Sequence, residues 1–115
     1  MELIDHIIEG DKGGVVVSIA DDRLGHPKTL VLKSHVIHLF NAGHRQIVLN
    51  CEHLESMDSF GLAVLVSLLK MSREQGGSLA LCHLSEDILR LIELTRLDRI
   101  LTIFSTEQEA VAHLS

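Results

Sequence analysis

The spacing of apolar and polar residues changes several times along the chain, and each change marks a predicted secondary-structure element. Residues 3–9 and 15–20 are short runs rich in Ile and Val, a composition typical of strands. A glycine-rich segment, residues 10–14, separates them. Two short strands with such a connection predict a β-hairpin at the start of the chain. The polar residues 21–27, which include Gly25, are predicted to form a loop.

Beyond this loop, helical and strand-like patterns alternate. The apolar positions that follow Pro27 lie near helical spacing, and Gly43 is a typical residue past a helix C-terminus. This predicts a first helix from Pro27 to about residue 41. Ser85 and Ser105 are the predicted caps of the last two helices. The other predicted elements are strands over residues 46–51, 78–83 and 100–104, and helices over residues 60–75, 86–94 and 105–114.

The predicted order of elements, β-β-α-β-α-β-α-β-α, is typical of the α/β class. An initial hairpin followed by alternating strands and helices implies a mixed β-sheet with helices packed on it. A chain of 115 residues fits one domain, and no repeat, linker or low-complexity segment interrupts it. We therefore expect a single domain over residues 1–115.

Composition and charge exclude several classes of function. With three Phe, no Trp and no Tyr, the core must be aliphatic. Few aromatic residues are then available to stack on the bases of single-stranded nucleic acid. The formal net charge of -6, without a run of Lys or Arg, also disfavours binding to a phosphate backbone. We expect no nucleic-acid partner.

The cysteines and the N-terminal residues indicate the cellular setting. Cys51 and Cys82 each end an apolar strand-like run, and without a C-x-x-C spacing they are predicted to be reduced core thiols rather than a disulfide or redox pair. The first residues lack the basic region and the apolar run of a signal peptide. The longest apolar run, residues 61–69, is shorter than the ~20 residues of a membrane-spanning helix. We expect a soluble cytoplasmic protein without membrane insertion.

The densest group of candidate functional residues, residues 52–63, lies between a predicted strand and the next helix. This end of a strand is where α/β folds place ligands. Asp58 or Ser59 is the predicted N-cap of the helix, and Gly61 lets another surface approach its first turn. The helix N-terminus also suits a phosphate on Ser59, because it favours negative charge. A simple cap without modification is the alternative.

Three segments carry the pattern of a known family. They are residues 48–65 (VLNCEHLESMDSFGLAVL) with Gly76-Gly77 downstream, residues 91–100 (LIELTRLDRI) and residues 106–110 (TEQEA). The first resembles the strand–loop–helix signature of the STAS family (sulfate-transporter and anti-sigma-antagonist domains). The others are similar to the family's third-helix segment and acidic final helix. The resemblance spans residues 14–114 and implies a STAS-like mixed sheet.

The resemblance implies regulation by partner exchange, without enzyme activity. In such antagonists the unphosphorylated form binds an anti-sigma factor that is also a serine kinase. Phosphorylation in an Asp-Ser-[Ser/Thr]-Gly motif releases the complex, and a phosphatase restores it. Ser59 is the implied phosphorylation site, no cofactor or metal is expected, and the chain is expected to be a monomer or weak dimer. The implied partner-binding residues are Asp58, Ser59, Phe60, Gly61, Asp22 and Leu24.

Two departures from the family pattern keep a second function open. Phe60 replaces the second hydroxyl residue of the motif, and residues 21–27 replace a Gly-x-Leu/Ile-Asp turn that normally helps to form the partner surface. The alternative is a non-phosphorylated interaction subunit of a transporter or signalling scaffold. Phe60 would then be an exposed anchor for the partner, and a place for it in the core is equally compatible with the sequence.

The eight histidines suggest a third function, a sensor of a metal ion or small ligand. His35 and His38 lie three residues apart on the first predicted helix, a spacing that can bring two ligands together. No Cys, Asp or Glu nearby completes a ligand set. Surface or half-buried histidines are therefore the favoured interpretation.

Overall fold

The structure, a computed structural model, describes residues 1–8 and 14–114, so most of the predicted glycine-rich turn lies outside the described residues. The strands are β1 (Leu3–Ile8), β2 (Gly14–Ile19), β3 (Arg23–Leu24), β4 (Gln46–Asn50), β5 (Ser56–Met57), β6 (Ser78–Cys82) and β7 (Thr102–Phe104). The helices are α1 (Lys28–Asn41), α2 (Ser59–Glu74), α3 (Glu86–Leu94) and α4 (Glu107–Leu114), with a 3-10 turn at Leu97–Arg99. Among the described residues, no helix has the length and apolar character needed to cross a membrane.

The main sheet is mixed, with the strand order β1-β2-β4-β6-β7. β1 pairs with β2 in antiparallel orientation, and the remaining neighbours are parallel. Parallel neighbours need crossover connections, which α1, α2 and α3 supply. The predicted α/β class, the initial antiparallel pair and the mixed sheet are therefore confirmed. β1 and β7 form the two edges of this sheet.

Both faces of the sheet are apolar, because successive residues of a buried strand point to opposite sides. The larger core lies between one face and α1, α2 and α3, and the smaller core lies under α4. Cys51 belongs to the larger core and Cys82 to the smaller one. Burial raises the pKa of each thiol to about 12, so both stay protonated at neutral pH. The prediction of two core thiols without a disulfide is confirmed.

Two short strands lie where only loops were predicted. β3 lies within residues 21–27 and β5 within residues 52–58, and they pair in parallel as a separate two-stranded sheet. Arg23 is opposite Ser56, and Leu24 is opposite Met57. A strand of two residues is too short to show a hydrophobic period, so the sequence pattern did not reveal this pairing.

Helix positions were predicted well, and their details less so. α2 begins and ends one residue before its predicted bounds, and Ser85 caps α3 as predicted, since its Oγ accepts a hydrogen bond from the Ile88 N–H at 3.2 Å. The predicted cap of α4 was wrong by one residue. Thr106, not Ser105, accepts a hydrogen bond from the Glu109 N–H, at 3.2 Å. Ser and Thr are both preferred N-cap residues, so the sequence does not show which of these two neighbours is the cap. The path of the backbone into α4 determines it.

Candidate functional site

Asp58 is the N-cap of α2, at the point where β5 ends. Its backbone is extended, and its Oδ1 accepts a hydrogen bond from the Gly61 N–H at 3.0 Å. Of the two candidates that the sequence left open, Asp58 is thus the cap. Ser59 is the first helical residue, and its side chain is exposed, with no hydrogen-bond partner among residues 1–8 and 14–114. Its hydroxyl is therefore accessible to another protein.

The second carboxylate oxygen of Asp58 faces Arg23, a residue that the sequence analysis did not single out. The Arg23 Nη2 and Asp58 Oδ2 atoms are 3.4 Å apart, and the Arg23 side chain is 61% exposed. The hydrogen bond from the Gly61 N–H has the largest effect on the pKa of Asp58 and lowers it. Partial burial comes second and raises this pKa, the hydrogen bond to Arg23 comes third and lowers it, and the net shift is downward. Asp58 is therefore ionised at neutral pH.

This lowered pKa predicts a pH-dependent stability. A carboxylate whose folded-state pKa lies below its unfolded value stabilises the fold above about pH 4, and this contribution is lost as the pH falls through the folded-state pKa. We expect Asp58→Asn to be less stable than the wild type at neutral pH, and this difference to shrink as the pH falls below about 4, as measured by urea unfolding. Asp58→Ala, which also removes the cap, should remain less stable over the whole range. A constant difference between wild type and Asp58→Asn would contradict this prediction.

Two glycines allow the β3 segment to lie directly against the start of α2. A Cβ atom on Gly61 would lie 2.5 Å from the carbonyl oxygen of Leu24 and 2.9 Å from the Met57 Cβ atom. A Cβ atom on Gly25 would lie 2.6 Å from the Asp58 Oδ2 atom. The Leu24 carbonyl also accepts a hydrogen bond from the Asp58 N–H at 3.3 Å. The surface that approaches Gly61 is therefore the chain's own backbone.

The structure places two of the implied partner-binding residues, Leu24 and Gly61, in the interior. The Leu24 side chain is fully buried in the larger core, and Gly61 is buried beneath the Leu24 carbonyl. Neither residue is accessible to a partner at the surface of this structure. Their contribution is to hold β3 against α2, so they support the surface that the neighbouring residues form.

Asp22 and Phe60 are exposed near the same helix end. The Asp22 carbonyl accepts hydrogen bonds from the Glu55 N–H at 2.7 Å and the Ser56 N–H at 3.1 Å, which fixes the two loops side by side. Phe60 is 57% exposed, and its ring centroid lies 5.3 Å from that of His26. Phe60 is thus a surface aromatic residue, which settles the question that the sequence left open.

We call Asp22, Arg23, Asp58, Ser59 and Phe60 the α2 surface; four of these residues are exposed, and Asp58 is half-buried. Its formal charge is negative, because the two carboxylates of Asp22 and Asp58 outnumber the one cation, Arg23. Arg23 is paired with Asp58 at 3.4 Å. Lys28, next to the surface, is paired with Asp21, with 2.9 Å between Nζ and the carboxylate. Further exposed carboxylates flank the surface at Glu52 and Glu55. The α2 surface therefore combines one large apolar side chain with an acidic border, which is complementary to a basic protein surface.

Comparison with known proteins identifies the family. A family model of the STAS domain matches residues 2–110. The chain belongs to the STAS family. A Thermotoga maritima protein assigned as an anti-sigma factor antagonist is 37% identical over 98 residues, which cover 84% of this chain and 87% of the relative. A crystal structure of such a protein from the same organism has a TM-score of 0.83 at 32% identity, covering 97% of this chain and 93% of the other.

Two further comparisons cover more than nine tenths of the chain. The anti-sigma F factor antagonist of Paenibacillus polymyxa is 26% identical over 107 residues, covering 93% of this chain and 92% of the relative. The Bacillus protein SpoIIAA in its phosphorylated form has a TM-score of 0.71 at 18% identity, covering 97% of this chain and all of the other, which shows the shared fold. The resemblance predicted from the motifs, and the STAS-like fold that it implied, are confirmed.

The histidines of this STAS chain do not gather at the α2 surface. His35 lies 2.7 and 2.9 Å from the two Asp5 carboxylate oxygens, which links α1 to β1, and His38 is exposed. Within the part of the chain that the structure describes, no three His, Cys, Asp or Glu side chains are grouped to hold a metal ion. Among the described residues, His26 is the histidine whose ring contacts that of Phe60, at a centroid distance of 5.3 Å.

Proposed function

We propose that this STAS chain is an anti-sigma factor antagonist that binds an anti-sigma factor with serine-kinase activity and is released by phosphorylation of Ser59. The observation that carries this function is the exposed Ser59 hydroxyl at the start of α2, beside the capping carboxylate of Asp58. The chain acts by binding, and it does so in the cytoplasm, where the kinase finds ATP. A phosphatase returns the chain to its binding form.

A phosphate on Ser59 would change the α2 surface without disturbing the core. A phosphoserine carries about two negative charges at neutral pH. It would lie next to the ionised Asp58 on a border that already includes Asp22. A partner that binds the unmodified surface through an apolar contact would then have to bury this added charge. Because Ser59 is exposed, the phosphate needs no rearrangement of the packed interior.

Labelling by the kinase tests this function. We expect the cognate anti-sigma factor kinase to add one phosphate to the wild type and to Ser56→Ala, but none to Ser59→Ala. Ser56 is the matched control because it is an exposed serine three residues away. Phosphorylation should weaken kinase binding at least ~tenfold, measured by calorimetry, which corresponds to about 1.4 kcal/mol. Phosphate on Ser59→Ala, or unchanged binding after complete phosphorylation, would contradict the proposal.

A second function is favoured by Phe60, which stands in the place of the usual second hydroxyl residue and is 57% exposed. In this function the chain is a constitutive interaction subunit of a transporter or signalling scaffold. Phe60 is then the anchor, and the Ser59 hydroxyl plays no part. Ser59→Ala and Ser59→Asp should both bind the partner as the wild type does, which separates this function from the phosphorylation switch.

A further inference from the structure

β1 is an edge strand of the main sheet, and its outer side is not paired with any strand of residues 1–8 and 14–114. Natural edge strands are usually protected by charged side chains, especially Lys, by Pro, by a bulge or by a short length. β1 has six residues, Leu-Ile-Asp-His-Ile-Ile, with neither Lys nor Pro, and its one acidic side chain, Asp5, lies 2.7 Å from His35 on α1. Ile4 is 52% exposed and Ile7 is 62% exposed. The strand thus combines free backbone groups with exposed β-branched side chains, which favours pairing with another strand.

The hydrogen bonds to β2 show which backbone groups of β1 are free. The Glu2 carbonyl accepts a hydrogen bond from the Ala20 N–H at 3.0 Å. In an antiparallel pair such bonds recur at every second residue. The even-numbered residues of β1 therefore direct their N–H and C=O groups to β2, and Leu3, Asp5 and Ile7 direct theirs outward. These outward groups are available to a strand of a second molecule.

We propose that the chain forms a symmetric dimer in which β1 pairs in antiparallel orientation with β1 of a second copy. A two-fold axis perpendicular to the sheet places odd-numbered residues opposite odd-numbered ones, and even-numbered residues opposite even-numbered ones. One such register would set Asp5 opposite Asp5 of the second copy, and like charges directly opposite are destabilising. The register shifted by two residues sets Asp5 opposite Ile7, Ile4 opposite Ile8, and His6 opposite His6 of the second copy.

A groove between β1 and α4 fits the second copy in this register. Its volume is about 500 Å³, and its lining includes Ile7, Ile8 and Val111. Ile4, His6 and Ile8 point to the same side of the sheet as α4, where Ile8 and Val111 pack on the smaller core. Ile4 of the second copy, opposite Ile8, therefore enters the groove. The symmetry repeats this contact, so two exposed isoleucines become buried together.

This dimer is independent of the proposed function, because none of the α2-surface residues lies in β1 or lines the groove. A dimer would present two α2 surfaces to partners. The dimer and the phosphorylation switch can therefore fail separately, since neither the oligomeric state nor its register requires a kinase.

Sedimentation equilibrium of the full chain tests the dimer. We expect a concentration-dependent dimer for the wild type and an at least ~tenfold weaker one for Ile4→Lys, since this change puts a charge into the groove. Ile7→Pro should have a similar effect, because the outward Ile7 N–H belongs to the interface and not to the pairing with β2. Leu30→Lys is the matched control, as Leu30 is 57% exposed on α1. A wild type that remains monomeric at all concentrations, or a dimer unaffected by both β1 variants, would overturn the proposal.

Crosslinking tests the register. His6 is expected to face His6 of the second copy in a non-hydrogen-bonded pair, where Cβ atoms are about 4.5–5.5 Å apart. Mild oxidation should therefore link His6→Cys chains into covalent dimers at least ~tenfold faster than Asp5→Cys chains. The native Cys51 and Cys82 are buried and do not compete. Preferential linking of Asp5→Cys, or linking at neither position, would overturn the assigned pairing.

Discussion

Gly61→Ala is expected to lower the free energy of unfolding by about 2 kcal/mol, although alanine normally stabilises a helix relative to glycine by about 1 kcal/mol. The new Cβ atom would lie 2.5 Å from the carbonyl oxygen of Leu24, which is backbone and cannot rotate away. Relief requires β3 to move away from α2. That movement would weaken the hydrogen bond from the Asp58 N–H to the same carbonyl, 3.3 Å long. Guanidinium unfolding measures the loss.

Ala63 provides the control for this prediction. It lies two residues further along α2 and is exposed, so Ala63→Ser adds one atom without a clash and should change the stability by no more than about 0.5 kcal/mol. Gly61→Ala should also weaken partner binding, since it displaces the β3 segment that carries Asp22 and Arg23. A Gly61→Ala protein as stable as the wild type would show that β3 can separate from α2 at no cost.

Phe60→Ala is expected to weaken partner binding by about 2 kcal/mol, roughly thirtyfold, while leaving the folded state as stable as before. Large apolar side chains at the centre of a surface contribute most of the binding energy when a partner desolvates them. Phe60 is already 57% exposed in the free chain and contacts the exposed His26 ring, so its truncation opens no cavity in the core. Calorimetric titration with the partner, together with thermal unfolding, separates the two effects.

Leu30→Ala is the matched control for Phe60→Ala. Leu30 has the same exposed fraction, 57%, but lies on α1 outside the α2 surface, and its truncation should leave the affinity unchanged. Comparison with Ser59→Ala also distinguishes the phosphorylation switch from the constitutive interaction subunit. In the phosphorylation switch, Ser59→Ala binds normally but no longer releases its partner in the presence of kinase and ATP. Equal affinity of Phe60→Ala and the wild type would exclude Phe60 as an anchor under either function.

The order of elements was predictable because its signals are local. A buried strand such as β4 needs consecutive apolar residues, and a helix such as α2 needs an apolar period of 3.6 between a polar cap and a glycine pair. These patterns extend over only a few residues, so the sequence by itself determined the α/β class, the mixed sheet and the bounds of α2 to within one residue. It also located the candidate site at the start of α2, since the cap and the family motif coincide there.

Which residues of a helix face the solvent depended on the tertiary structure. Helical spacing predicted α1, but its buried residues are Thr29, Leu32, Val36, Leu39 and Phe40, while Leu30 and Val31 remain exposed. An apolar period of 3.6 residues shows that part of a helix surface can be buried. The packing of the helix on the sheet determines which residues are buried. The same holds at the start of α2, where neighbouring residues differ completely: Phe60 is exposed and Gly61 is buried.

The α2 surface itself was decided by contacts between distant segments. Arg23 reaches Asp58 across 35 positions of sequence, and the pairing of β3 with β5 brings Asp22 beside it. Strands of two residues are too short to produce a periodic pattern in the sequence. The close contact between the Leu24 carbonyl and Gly61, which leaves no room for a Cβ atom, has no sequence pattern either. The sequence by itself therefore determined that α2 begins near Asp58 and Ser59, either of which could be its cap. Only the tertiary structure decided that Phe60 projects outward while Leu24 and Gly61 hold the site from beneath, because that outcome depends on how closely two backbones pack.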